Sequence, residues 1–188
     1  IKEAVGSQDQ TATSFGGLNH ITFSGDDEIQ ITPLSLQPER VSALESHLML
    51  YFSGILRKAP VIAARQIKEM DHHTSKLLQM RQMVEEATRI LHSEDNIEEF
   101  GKLLYESWQF KRTLAQGITN PTIDEIFQAA MEAGAIGGKV LGAGGGGFIL
   151  FFVAAQNQAK VQERLSKLIK IPFRFEQLGT QIILNDHL

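Results

Sequence analysis

The sequence predicts an α+β fold: a largely antiparallel sheet packed with several helices, one of them very long. Three observations carry this expectation. Short runs rich in Phe, Ile, Leu and Val, bounded by Gly, Asp and Pro, stand near both ends of the chain. The middle of the chain instead repeats its apolar residues at three- and four-residue steps. Strands and helices are thus segregated rather than strictly alternating, which favours an antiparallel sheet over a doubly wound parallel one. At 188 residues with 43% hydrophobic content, the chain suits one domain or one large lobe and can bury a core.

Leu18 to Phe23 and Glu28 to Thr32 alternate apolar and polar residues around Gly25-Asp26-Asp27, which predicts a β-hairpin ended by Pro33. A third strand is expected over about Glu45 to Phe52, broken by Gly54. Pro60 suits the first turn of a helix, where its missing N–H costs nothing. Ile67, Met70, Leu77, Val84 and Leu91 then mark one face from Val61 to about Leu91. Such a helix would be about 45 Å long at 1.5 Å per residue. Asp95 with Glu98, and Thr122 with Glu125, have capping-box spacing and predict two further helix starts. Gly117 and Gly134 would end these helices. Trp108 falls on the apolar stripe of the first and is expected in the core. The last third reads strand (Val140–Leu141), glycine loop, strand (Phe148–Val153), helix (Gln156 to Ile169), then short strands at Phe173–Phe175 and Gln181–Leu184.

Composition excludes several classes. The net charge of −4 gives no general basic field for nucleic acid. There is no cysteine, which removes disulfides, thiolate catalysis and sulfur-ligated zinc; a reducing, cytoplasmic setting is the expectation. The longest apolar stretch, Phe148 to Ala155, is too short to span a bilayer, so no membrane partner is expected. Asp71, His72 and His73 look metal-like, but adjacent helical residues point about 100° apart, so we read them as surface residues and expect no metal site here.

The segment "VLGAGGGGFILFF" (140–152) carries the most chemistry. Gly142, Gly144 and Gly147 match G-x-G-x-x-G. The dinucleotide fingerprint, however, needs a helix after the loop and an acidic residue at a strand end about twenty residues on. Here a Phe-rich strand follows, and Glu163 lies in an expected helix. The Gly-Lys-Ser/Thr of a Walker A loop is also absent. Two readings stay open on local chemistry. Gly144 to Gly147 either form a tight strand-to-strand turn or bare their N–H groups to a phosphate.

"GGKVLGAGGGGFILFFV" resembles the glycine-rich motif of the GHMP small-molecule kinases. "VGSQDQTATSFGGLNHITF", "LMLYFSGILRKAPVIAARQ" and "ITNPTIDEIFQAAMEAGAIGGK" resemble further segments of that family, in the same order. Within the family the likeness is to the bacterial heptose 7-phosphate kinases and related sugar kinases. The resemblance implies a GHMP kinase C-terminal domain with a ferredoxin-like core over residues 1–188, with residues 1–17 as the tail of the preceding catalytic segment. It implies transfer of phosphoryl from ATP, with Mg2+, to a hydroxyl of a sugar or sugar phosphate. The family's Pro-x-x-x-Gly-Leu-Gly-Ser-Ser-type nucleotide loop is not in this sequence, and the chain opens abruptly at Ile1 without Met. We therefore expect a partner N-terminal kinase lobe carrying that loop and the Mg2+ ligands, and no activity from this chain alone.

The resemblance assigns Asp9 as the catalytic carboxylate; local sequence by itself leaves Asp9 as a cap or loop residue. Gly142, Gly144, Gly145, Gly146 and Gly147 are implied to lie near the phosphates or to steady the other lobe's nucleotide loop. Gly16 and Gly17 read as a tight turn after the Asp9 helix. Arg57 is the candidate clamp for a phosphate on the substrate, with Lys58 as a substitute. The alternative to a kinase is a non-catalytic small-molecule-binding or regulatory α+β module.

Overall fold

The computed structural model describes residues 6–25, 28–56 and 59–183. Helix α1 (Gln8–Phe15) is followed by the hairpin of β1 (Asn19–Phe23) and β2 (Ile29–Pro33), paired with Ile21 opposite Ile31. Of its expected turn, Asp26 and Asp27 lie outside the described residues. Then come α2 (Pro38–His47), β3 (Leu48–Phe52), α3 (Ala59–Glu69), a 3₁₀ turn (Met70–His73), α4 (Thr74–His92), α5 (Glu98–Lys111) and α6 (Pro121–Glu132). Strands β4 (Gly137–Val140) and β5 (Phe148–Phe152), helix α7 (Ala155–Arg164) and strand β6 (Ile169–Ile171) complete the order.

The main sheet has the order β4-β5-β3-β6, with every neighbour antiparallel. Taken from β3 onward, the chain runs strand, helices, strand, strand, helix, strand, which is the ferredoxin-like arrangement. Side chains alternate across the strands. Met49, Tyr51, Val140, Ile149 and Phe151 face one way and pack on Trp108, Ile118, Ile123, Phe127 and Val161. Phe127 sits at the centre, its ring centroid 5.7 Å from Phe151 and 6.0 Å from Trp108. Leu48 and Phe152 face the other way, into a smaller cluster with Leu44, Leu91, Ile97, Phe100 and Leu104. Helix α5 approaches this sheet through glycines. A Cβ at Gly101 would meet the Phe152 ring at 2.5 Å, and one at Gly137 would fall on the Gly101 carbonyl.

Several boundaries differ from the sequence expectation. The long helical path is present from Ala59 to His92, but the 3₁₀ turn interrupts it. The Thr74 hydroxyl donates to the Asp71 carbonyl there, at 3.2 Å, in competition with helical bonding. Of its apolar stripe, Leu91 is buried, while Ile67, Met70 and Val84 stay exposed; the other buried residues of this path, Ile62 and Ile90, lie off the expected stripe. The expected strand start at Glu45 is instead the last turn of α2, which Pro38 opens and Leu44 anchors. Glu45 turns to the chain's far end, accepting from the Phe175 N–H at 2.7 Å and from Arg174 at 2.7 Å.

Both capping-box readings were displaced. Asp95 pairs with Arg89 at 2.8 Å, and α5 begins at Glu98, whose N–H donates to Asn96 Oδ1 at 3.1 Å. That helix ends at Lys111, and Gly117 lies in the loop beyond it. The cap of α6 is Asn120, whose Oδ1 accepts from Ile123 N at 3.1 Å, with Pro121 in the first turn. An Asn cap followed by Pro outcompetes Thr122 with Glu125 because both features are pre-set for a helix start. Helix α7 stops at Arg164, and the last strand among the described residues is Ile169–Ile171, three residues paired with β3. Residues 173–175 and 181–183, expected as strands, are irregular: Phe175 N–H is taken by Glu45, and Thr180 N–H donates to the Ser14 carbonyl at 3.1 Å. Leu184 lies outside the described residues.

Candidate functional site

The glycine loop joins β4 to β5, a strand on each side. No helix follows it directly, so the dinucleotide geometry is absent, as the Phe-rich run predicts. Gly142, Gly144, Gly145, Gly146 and Gly147 all have positive φ, between 61° and 156°. Two of them are also demanded by close packing. A Cβ at Gly144 would lie 2.7 Å from the Ile118 carbonyl oxygen, and one at Gly146 2.7 Å from that of Ile55.

Neighbouring segments hold the loop by its backbone. Gly145 N–H donates to the Ile118 carbonyl at 2.7 Å and Gly147 N–H to the Ile55 carbonyl at 3.0 Å. Its carbonyls accept in turn: Gly142 from Lys111 Nζ at 2.6 Å, Ala143 from Gln66 Nε2 at 2.6 Å, Gly145 from Asn120 Nδ2 at 3.2 Å, and Gly147 from Ser53 N–H at 2.9 Å. Asn120 therefore caps α6 and holds the loop with one side chain, which sets the start of α6 beside the glycines. On the adjoining strand, Lys139 stands across from Leu150, and burial pushes its ammonium pKa below the ordinary 10.5.

Asp9 lies exposed in the first turn of α1, its carbonyl accepting from the Thr13 hydroxyl at 2.9 Å. Gly16 and Gly17 do form the turn after that helix, at φ 65° and 68°. The tail packs against them: a Cβ at Gly16 would lie 2.5 Å from Gly179 N, and Gly17 N–H donates to the Glu176 carbonyl at 2.8 Å. Among the described residues, α1 is thus held by the tail at 176–180, and the glycine loop by the segments at 53–55, 66, 111 and 118–120. The two groups share no element.

Arg57 and Lys58 lie outside the described residues. Asp71, His72 and His73 sit on the 3₁₀ turn, and the described residues contain no cluster of three His, Asp or Glu fit for a metal ion. Trp108 is fully buried in the core. Sequence reasoning missed Gln66, Lys111 and Asn120. Only Asn120 carried a local signal, the Asn-Pro pair at a helix start.

The fold, glycine loop included, has counterparts among solved kinases. Residues 83–171 match the family described as GHMP kinases C terminal. It is 29% identical, over 86% of its length, to the D-glycero-alpha-D-manno-heptose 7-phosphate kinase of Campylobacter jejuni, covering 48% of that protein. The crystal structure of a D-glycero-D-manno-heptose 1-phosphate kinase from Bacteroides thetaiotaomicron superposes with a TM-score of 0.68 at 28% identity, over 93% of this chain and 47% of that one. The mevalonate kinase of L. major shares the fold, with a TM-score of 0.67 at 17% identity, over 86% of this chain and 50% of that one. The chain therefore spans less than half the length of the heptose kinases it matches.

Proposed function

We propose that this chain is the C-terminal lobe of an ATP-dependent kinase that phosphorylates a hydroxyl of a sugar or sugar phosphate, as a heptose 7-phosphate kinase does. The reading is carried by one observation: 28–29% identity to heptose phosphate kinases across 86–93% of this chain. ATP supplies the phosphoryl group, and a partner lobe supplies the nucleotide loop and Mg2+ ligands. In this reading Asp9 accepts a hydrogen bond from the sugar hydroxyl, orients it, and takes its proton at a carboxylate oxygen as the new O–P bond forms and the bond from the γ-phosphorus to the bridging oxygen breaks, with ADP leaving. Exposure at the start of α1 leaves Asp9 free to meet a substrate. The glycine loop, already shaped by its own lobe, lies near the phosphates or steadies the loop that holds them. Arg57, with Lys58 as its substitute, clamps a phosphate on the substrate.

The test is Asp9→Asn in the kinase containing both lobes. Turnover is expected to fall by about 10² to 10⁴, with the ATP dissociation constant and melting temperature little changed. A kcat within about threefold of the parent in a folded protein removes Asp9 from catalysis. Residues 1–188 alone are expected to melt cooperatively and to turn over no ATP. Sugar phosphorylation by this lobe alone would overturn the two-lobe reading.

A further inference from the structure

We propose that Glu45 is a positioning residue for helix α1: by clamping the tail at 174–180 it holds a strap across the end of that helix, and so sets where Asp9 stands. That the placement of Asp9 governs phosphoryl transfer rests on the kinase reading above; that the strap orders α1 does not.

Helix α1 needs outside support. It has eight residues, and helices shorter than about 12–15 residues are marginal in water on their own. Its N-cap, Ser7, makes no side-chain capping bond, and of its own residues only Thr11 is buried. The hydroxyls of Thr13 and Ser14 donate back to the Asp9 and Gln10 carbonyls, at 2.9 and 2.7 Å, a pattern that slightly weakens a helix. The support comes at the C-terminal end. Thr180 N–H donates to the Ser14 carbonyl at 3.1 Å, one of the carbonyls that a helix end leaves without an internal partner. Gly17 N–H donates to the Glu176 carbonyl at 2.8 Å. A Cβ at Gly179 would fall on the Ser14 carbonyl, so glycine is what lets the tail cross this close.

Glu45 fixes the other end of the strap. It stands in the last turn of α2, its side chain 18% exposed, and accepts from the Phe175 N–H at 2.7 Å. A carboxylate is a stronger acceptor for an N–H than a neutral oxygen. Phe175 also packs against the cluster that holds Leu44, the neighbour of Glu45. The Arg174 ion pair adds little, because that side chain is 87% exposed. From Phe175 to Thr180 the chain can reach at most about 18 Å, so a shift at Glu45 has a short path to Ser14. Asp9 lies in the same helix as Ser14, about 7.5 Å along its axis, and a tilt at one is felt at the other.

The experiment has two arms. In the 188-residue chain, the 13Cα shifts of residues 9–14 report the helicity of α1. Those of α6 and β5, with the melting temperature, check the fold. Glu45→Leu removes the acceptor and is expected to cut the helical shifts of α1 by about half or more, while α6 and β5 keep theirs. Glu45→Gln keeps an uncharged acceptor and should fall between the leucine variant and the parent. Arg174→Ala should leave α1 as it is. Gly179→Ala attacks the strap from its other end and should match Glu45→Leu, which keeps the question answerable if the leucine variant does not fold. In the kinase containing both lobes, Glu45→Leu should lower kcat about 10-fold or more with KM for ATP within about twofold, since misplacing a reacting group by about 1 Å can cost 10²-fold. Helical shifts at 9–14 that survive both Glu45→Leu and Gly179→Ala would overturn the strap. A kcat within about twofold of the parent in the folded Glu45→Leu kinase would overturn the positioning role. Asp9→Asn touches neither end of the strap. If that variant keeps its kcat, the kinase reading fails while the shift result stands, so the two failures are told apart.

Discussion

Gly144→Ala tests whether the glycine loop is shaped by close packing. At φ 96° an L side chain is strained, at a cost of about 1–2 kcal/mol. The new Cβ would also lie 2.7, 2.8 and 2.9 Å from the carbonyl oxygen, Cγ2 and Cα of Ile118. Ile118 is fully buried, and two of those three atoms are backbone, so nothing can swing aside. Overpacking of that kind costs a further 1–3 kcal/mol or so. The two costs together come to about 2–5 kcal/mol, a large share of the roughly 5–15 kcal/mol that holds a typical domain together. For a chain of this size the melting temperature should fall by about 4–20 °C. Two alanine controls isolate the contact. Gly54 has φ 76° and open space around its Cβ position, so it carries the strain alone. Gly25 has neither positive φ nor a near neighbour and should change stability by less than about 0.5 kcal/mol. Urea unfolding of the four proteins gives the answer. If Gly144→Ala costs no more than Gly54→Ala, the packing argument is wrong.

Two further outcomes follow from the core and the tail. Trp108→Ala should cost about 3–5 kcal/mol in urea unfolding, because the indole is fully buried against Phe127. The Phe175 N–H, and after it Arg174, hold the Glu45 carboxyl below its ordinary 4.5. A depressed carboxyl stabilises the fold above its unfolded pKa, and that contribution is lost as pH falls through the folded value. Acidification from pH 4.5 downward should therefore free the tail from α2, seen as faster amide exchange at Phe175; Glu45→Gln should remove most of that pH dependence.

The features legible in the sequence were the local ones. Gly25 between alternating runs marked the hairpin, and Phe148 to Phe152 marked a strand rather than a helix after the glycines. Helix α2 was hidden because its last turn, Glu45–His47, runs straight into the apolar strand Leu48–Phe52, and the partner that occupies Glu45 lies 130 residues away. Spacing placed Ile67 and Val84 on an apolar stripe, but spacing cannot say whether a neighbouring element covers it, and both remain exposed. The loop's braces were invisible for a related reason. Gln66 and Lys111 are ordinary helix residues whose partners are main-chain carbonyls, and a carbonyl leaves no mark on composition.

The bare Cα positions of Gly101 and Gly137 let α5 lie directly along β4, an outermost strand of the main sheet. Exposed outer strands invite pairing with another chain, and an overlying helix is one way to block it. The opposite border, β6, is only three residues long and has Lys170 at its middle. Short length and a charged lysine discourage the same kind of pairing. Both borders of the sheet are thereby guarded against adding a strand from a second molecule, so a side chain forced in at Gly137 should show its damage as self-association as well as lost stability.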